Sequence, residues 1–238
     1  MKASLELVLC IVFGGAAAFA QDIAALKAQA SRGDAKAQLN LGLAYIHGTG
    51  VTPNPVEAGK WFRRAADQGD ADAQHQLGVT FQKGDGVAKN GVQAAYWYRK
   101  AAEHGDAMGQ ALLGTSYTLG QGVLKDEVEA TKWFRKAAEQ GDQEAQYTVG
   151  LRYSRGQGVL KNGKEALIWY RKAAQQGETH AQYMLGCSYL GGETVPRDFK
   201  EAVVGCANRR TKDLCRHNTT WLFATTTAKV LPRMLLRL

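Results

Sequence analysis

The sequence predicts an all-α fold, a solenoid of about five stacked helix pairs, and three recurrences carry that expectation. Gly33, Gly69, Gly105, Gly141 and Gly177 are 36 residues apart, as are Gly42, Gly78, Gly114, Gly150 and Gly186. Tyr45, Phe81, Tyr117, Tyr153 and Tyr189 keep the same period. Trp61-Phe62-Arg63-Arg64 returns as Trp97-Tyr98-Arg99-Lys100, Trp133-Phe134-Arg135-Lys136 and Trp169-Tyr170-Arg171-Lys172, each followed by Ala-Ala. Fixed self-similarity in this range of periods marks units that bury their apolar faces only against neighbouring copies.

The second copy shows why each unit reads as two helices. Asp70 stands where an N-cap belongs, and Ala71 to Lys83 are mostly helix formers ended by Gly84-Asp85-Gly86. A second helix follows from Gly91 to Glu103 and stops at Gly105. Ala73, Gln74, Leu77, Gly78 and Phe81 recur between copies and share one side of the first helix, which makes them its packing face. Glycine and alanine at the helix crossings are expected to let backbones approach. Arg63, Arg99, Arg135 and Arg171 are expected to have a structural role at helix C-termini, where a cation meets the negative end of the dipole.

The unit G-D-x-x-A-Q-x-x-L-G-x-x-Y-x-x-G-x-G-V resembles the Sel-1-like repeat family, the 36-residue relatives of tetratricopeptide repeats, over about Asp22 to Val203. That resemblance implies a right-handed α/α solenoid. It also implies that the first helix of each pair lines a concave groove that binds a peptide or protein partner.

Positions that vary between copies mark the candidate partner surface, and these are Asp72, Gln76, Thr80 and Lys83 in copy two. The equivalents are Lys36, Asn40, Ala44 and His47; Met108, Leu112, Ser116 and Leu119; Glu144, Thr148, Arg152 and Arg155; and His180, Met184, Ser188 and Gly191. Asn40, His47, Asp72, Gln76, Lys83, Met108, Leu112, Leu119, Arg152 and Arg155 are therefore the predicted partner-binding residues. Their chemistry runs from polar through apolar to basic, which suits a hydrophobic anchor followed by an acid.

The ends of the chain read differently from the repeats. Residues 1–20 form a signal peptide pattern: Lys2, an apolar stretch from Leu7 to Phe13, and Ala18-Phe19-Ala20 before Gln21. Export to the periplasm or beyond is expected, with no stable membrane span in the mature chain because the apolar stretch is shorter than the roughly 20 residues a helix needs. Residues 21–203 are the solenoid. After Val203 the repeat fails inside its own motif, and 204–238 are a basic tail, either a specialised cap or, as we favour, a frame-shifted or degenerate end.

The formal net charge of +8 belongs mainly to that tail. Arg209, Arg210, Lys212, Arg216, Lys229, Arg233 and Arg237 face Asp213 alone there. The repeat body is nearly neutral, so no nucleic-acid partner is expected. Composition, 45% hydrophobic and 22% charged, excludes disorder as the main state. Cys187, Cys206 and Cys215 remain after cleavage removes Cys10, an odd number that does not make a disulfide framework.

Catalytic, cofactor and metal sites are not expected. Gly158 to Glu165 imitates a phosphate-binding loop but ends in Glu where Ser or Thr must reach magnesium, and its counterpart at Gly86 to Gly91 marks it as a connector. His47, His75, His104, His180 and His217 include no pair at helical ligand spacing, and there is no C-x-x-C. The alternative reading is a cell-wall-associated protein with peptidoglycan-binding or β-lactamase-like activity, because some cysteine-rich members of the resembled family carry that label. Ser31, Ser116, Ser154 and Ser188 start no S-x-x-K, and no G-x-S-x-G is present. The chain therefore reads as a non-enzymatic interaction scaffold or adaptor.

Overall fold

The computed structural model describes residues 23–191, with side chains to 189; the signal pattern and the basic tail lie outside them. All the regular structure among these residues is helical. A first helix, α1, spans 23–31. It is followed by α2 (Ala35–His47), α3 (Pro55–Asp67), α4 (Ala71–Lys83), α5 (Gly91–Glu103), α6 (Ala107–Leu119), α7 (Glu127–Glu139), α8 (Gln143–Arg155), α9 (Gly163–Gln175) and α10 (Thr179–Gly191). The second repeat has the predicted boundaries. The chain divides into two compact units after Ala137, within α7.

Helix starts are fixed by short polar caps. Asp34, Asp70, Asp106 and Asp142 each accept a hydrogen bond from the backbone N–H three residues on, at 2.6–2.8 Å. Such a cap is worth about 1 kcal/mol. Asn54, Asn90 and Asn162 cap the second helices of their pairs in the same way. At the other end, Gly84 turns the chain left-handed at φ +85° and closes on the Thr80 carbonyl, a conformation that a β-carbon disfavours.

The first unit buries Leu39, Ala58, Phe62, Ala65, Ala66, Ala73, Leu77 and Trp97 in one cluster, and Ala94, Tyr98, Ala102 and Leu113 in the next. The recurring mid-helix glycine has a more specific job than close backbone approach. A β-carbon on Gly78 would lie 2.5 Å from the Tyr98 ring, and one on Gly42 2.5 Å from the Phe62 ring. Each seats the aromatic of its own pair flat against the first helix. Tyr98 needs a polar mate for its hydroxyl and donates to Gln82 at 2.6 Å. In the second unit Gly150 seats Tyr170, whose hydroxyl donates to Ser154 at 3.2 Å.

Buried glutamines join one pair to the next. Gln38, Gln74, Gln110, Gln146 and Gln182 each donate from Nε2 to the carbonyl eight residues back, near the end of the preceding second helix. The Oε1 atoms of three of them accept from a later residue: Gln68 for Gln38 (2.8 Å), His104 for Gln74 (2.9 Å) and Gln176 for Gln146 (2.9 Å). One amide thus satisfies groups from two helices, which accounts for a polar residue recurring on an apolar face.

The repeated arginines are structural, but their partner is the aromatic of the next pair rather than a helix end. Arg99 donates to the Tyr117 hydroxyl and Arg171 to that of Tyr189, each at 2.6 Å. Phe81 has no hydroxyl to offer Arg63, whose guanidinium lies 5.0 Å from the centre of the Trp97 ring. Lys27 of α1 takes the same place over Tyr45, so α1 serves as a half-repeat at the start of the array.

Candidate functional site

In the first unit α2, α4 and α6 occupy equivalent places in successive repeats. Lys36 of α2 meets Asp72 of α4 at 2.6 Å, so equal positions face each other across the two helices. Both side chains are at least half exposed, so the pair sets register and contributes little stability. The hydrogen bond that Lys36 donates to Asp72 holds the pKa of its ammonium above the usual lysine range.

The structure divides the predicted partner-binding residues. Asn40, His47, Asp72, Lys83, Met108 and Leu119 are exposed, and Gln76 and Leu112 are half-buried. In the second unit Arg155 is exposed and Arg152 is not: only 3% of its surface is accessible. Arg152 therefore cannot present a cation to a partner, and the basic part of the predicted surface on α8 reduces to Arg155.

The physical reason lies in helix geometry. Ala44, Thr80, Ser116 and Arg152 are all buried, whereas Leu43, Val79, Thr115 and Leu151, one residue earlier, are partly accessible. At 100° per residue, positions 36, 40, 43 and 47 lie within about 60° of one another, while position 44 lies about 80° from position 36. Thr80 faces the preceding pair, where a β-carbon on Gly59 would touch its methyl at 3.7 Å. The accessible stripe is thus Asn40, Leu43 and His47; Gln76, Val79 and Lys83; Met108, Leu112, Thr115 and Leu119, with the Lys36–Asp72 pair along it. Leu43 and Val79 escaped sequence reasoning because an aliphatic residue in a helix reads as core; the +4, +3, +4 spacing was the available signal.

Apolar character concentrates on α6. Met108 is 48% and Leu119 58% exposed, and Leu112 packs partly against the cluster of Leu113 and Tyr98. The surface is a helical face with polar and cationic groups on α2 and α4 and thioether and aliphatic groups on α6. Its chemistry suits holding a segment of another chain.

Three of the four serines after the signal pattern donate within their own helices. Ser116 and Ser188 donate to the carbonyls four residues back, and Ser154 donates to Leu151. The loop that imitates a phosphate-binding motif is the connector from α8 to α9, and Asn162 within it caps α9. Cys187 is a half-buried free thiol; Cys206, Cys215 and His217 lie outside the described residues. No described helix is long and apolar enough to cross a membrane.

The Sel1 repeat family model matches residues 35–70, 71–106, 107–142, 143–178 and 179–203. The chain belongs to the Sel1 repeat family. Among solved structures, this Sel1 repeat chain is similar to c5321 from uropathogenic Escherichia coli, a protective antigen displaying an SLR fold. The identity is 40% and the TM-score 0.75, over 80% of this chain and 40% of that one. A Sel1 repeat protein from Oxalobacter formigenes is 40% identical at a TM-score of 0.70, over 81% of this chain and 77% of that one. A Klebsiella pneumoniae Sel1 repeat structure shares the fold at 23% identity and a TM-score of 0.51, over 81% of this chain and 95% of that one. This chain therefore spans less than half the length of the Escherichia coli antigen. No curated protein matches it. These likenesses establish an all-α Sel1 solenoid.

Proposed function

We propose that this protein is an exported, non-enzymatic interaction scaffold that holds a peptide or protein partner against the exposed face of α2, α4 and α6. Sel1 repeat proteins generally act as protein-interaction scaffolds, and that family role supports the class of function. The observation that carries the location is the outward display of Met108 and Leu119 beside half-buried Leu112, on a helical face whose other exposed residues are polar. Export rests on the Ala18-Phe19-Ala20 pattern and the short apolar stretch before it.

A segment with an apolar anchor against α6 and acidic groups towards Lys83 and His47 fits this face. The test is a pull-down from envelope or host extract with wild type and with Met108→Asp/Leu119→Asp, both variants' melts being recorded. A partner retained by wild type and lost by the double variant, at unchanged Tm, is the expected result. Equal retention by both would refute this location. Hydrolysis of a chromogenic β-lactam by purified protein, abolished by a point substitution, would overturn the non-enzymatic reading.

A further inference from the structure

Asp72 and His75 of α4 meet the N-cap of α6, Asp106, at one junction of the first unit, although 31 residues separate His75 from Asp106 in sequence. One potential ligand atom from each lies within 4.8 Å of the others. We propose that Asp72, His75 and Asp106 form a binding site for one divalent transition-metal ion of the zinc class, with water completing its coordination.

The donor set suits such an ion: an imidazole nitrogen and two carboxylates are ligands that zinc accepts at about 2.0–2.2 Å. Asp106 Oδ2 accepts from both the Gly109 N–H and His75 Nδ1, so an ion that binds through Oδ1 leaves the cap in place. His75 Nδ1 donates to the Asp106 carboxylate at 2.8 Å, and an ion bound at Nδ1 takes the place of that proton, which moves to Nε2. The far nitrogen is already supported, because the Gln76 amide lies 3.1 Å from His75 Nε2. The amide nitrogen, Nε2, is the atom that faces the ring. A half-turn of the amide offers Oε1 to an Nε2–H instead, the outer hydrogen bond that orients a ligating histidine.

Charge points the same way. Lys36 is 2.6 Å from Asp72 and 3.7 Å from Asp70, so one ammonium serves a junction that also holds Asp106. Three carboxylates against one lysine leave an anionic surplus that a divalent ion neutralises. Lys36 and Asp72 have room to rearrange, with side chains 62% and 51% exposed. The pairing is confined to one repeat. The register of His75 holds Leu39, Ala111, Tyr147 and Tyr183 in the other copies, and that of Asp72 holds Lys36, Met108, Glu144 and His180. This site stands independently of the partner-binding reading.

The test is calorimetric titration of the metal-stripped full chain with zinc chloride, and with magnesium chloride in parallel, in two buffers of different ionisation enthalpy. His75→Gln keeps a donor for Asp106 but removes the imidazole; Asp72→Asn changes an exposed side chain. One zinc ion per chain is expected, with the same heat in both buffers because the displaced proton stays on the ring at Nε2; binding should be about tenfold or more weaker in each variant, with magnesium giving no saturable heat. Far-UV circular dichroism and Tm in EDTA are expected to match wild type. The absence of saturable zinc binding in wild type overturns the proposal. So does zinc affinity unchanged in His75→Gln, which places the ion elsewhere. Should His75→Gln prove unstable in EDTA, Asp72→Asn decides: unchanged affinity there is equally fatal.

Discussion

Replacing Gln74 with leucine removes one rung of the amide ladder and leaves the side-chain volume nearly unchanged. Gln74 is 2% exposed, donates to the Ala66 carbonyl at 3.1 Å and accepts from His104 Nδ1 at 2.9 Å. The Ala66 carbonyl still accepts from Gly69, and His104 is exposed enough to bond water, so neither former partner is stranded. At about 1 kcal/mol for each net hydrogen bond, the loss is about 2 kcal/mol. For a folded region of this size that lowers Tm by roughly 4–8 °C. Gln182 supplies the internal comparison, since its Nε2 donates to Ala174 but its buried Oε1 meets no donor among the described residues. Gln182→Leu should therefore cost less, by about one hydrogen bond. The assay is thermal and urea unfolding of wild type and both variants, with His104→Ala added to close a double-mutant cycle on the Gln74 rung. A loss under about 0.5 kcal/mol at Gln74, or an equal loss at both glutamines, refutes the argument that one amide clamps two helices.

Three further outcomes follow from the packing. Gly78→Ala gains up to about 1 kcal/mol of helix propensity but drives a methyl into the Tyr98 ring, so net destabilisation of about 1–2 kcal/mol is expected, and a smaller cost in a Tyr98→Ala background, where the ring is gone; unfolding of both variants checks it. Arg99→Ala and Tyr117→Phe should each weaken the fold by about 1 kcal/mol and should not add in the double variant, as equilibrium denaturation can show. Burial pushes the Tyr98 and Tyr170 phenols above their usual value of 10.0, which favours the neutral form in the folded state. The stability they contribute is complete below pH 10 and is lost as pH rises above it, so Tm should fall steeply in that range for wild type and less steeply for Tyr98→Phe/Tyr170→Phe.

Helix boundaries were legible because their determinants are local. Asp70 before Ala71 and Gly84 after Lys83 act on adjacent backbone groups, so reading along the chain finds them. The packing face was legible for the same reason: Gly78 returns in every copy, and Ala73 and Leu77 give way only once each, to Gly109 and Val149. The partner surface was only partly legible, because variation between copies was taken as a sign of exposure. Position 80 varies although buried, since its neighbour in the preceding pair varies too: Gly59 is Ala95, Thr131 and Leu167 in later copies. A buried pair of columns can exchange volume as freely as a surface can change charge. The roles of Gln74 and Arg99 needed the partner residue 30 or 18 positions away, and the meeting of His75 with Asp106 needed the stacking itself.

The placement of the partner-binding face is tested most directly by photo-crosslinking with benzoyl-phenylalanine placed singly at Met108, Leu119 and, as controls on the second helices, Lys60 and Tyr96. All four positions are exposed, so each probe should leave the fold intact. The same partner crosslinked from Met108 and Leu119, but not from Lys60 or Tyr96, and competed away by unlabelled wild type, is the predicted result. Crosslinks from Tyr96 or Lys60 with none from Met108 or Leu119 would place the binding surface on the second helices and contradict the account.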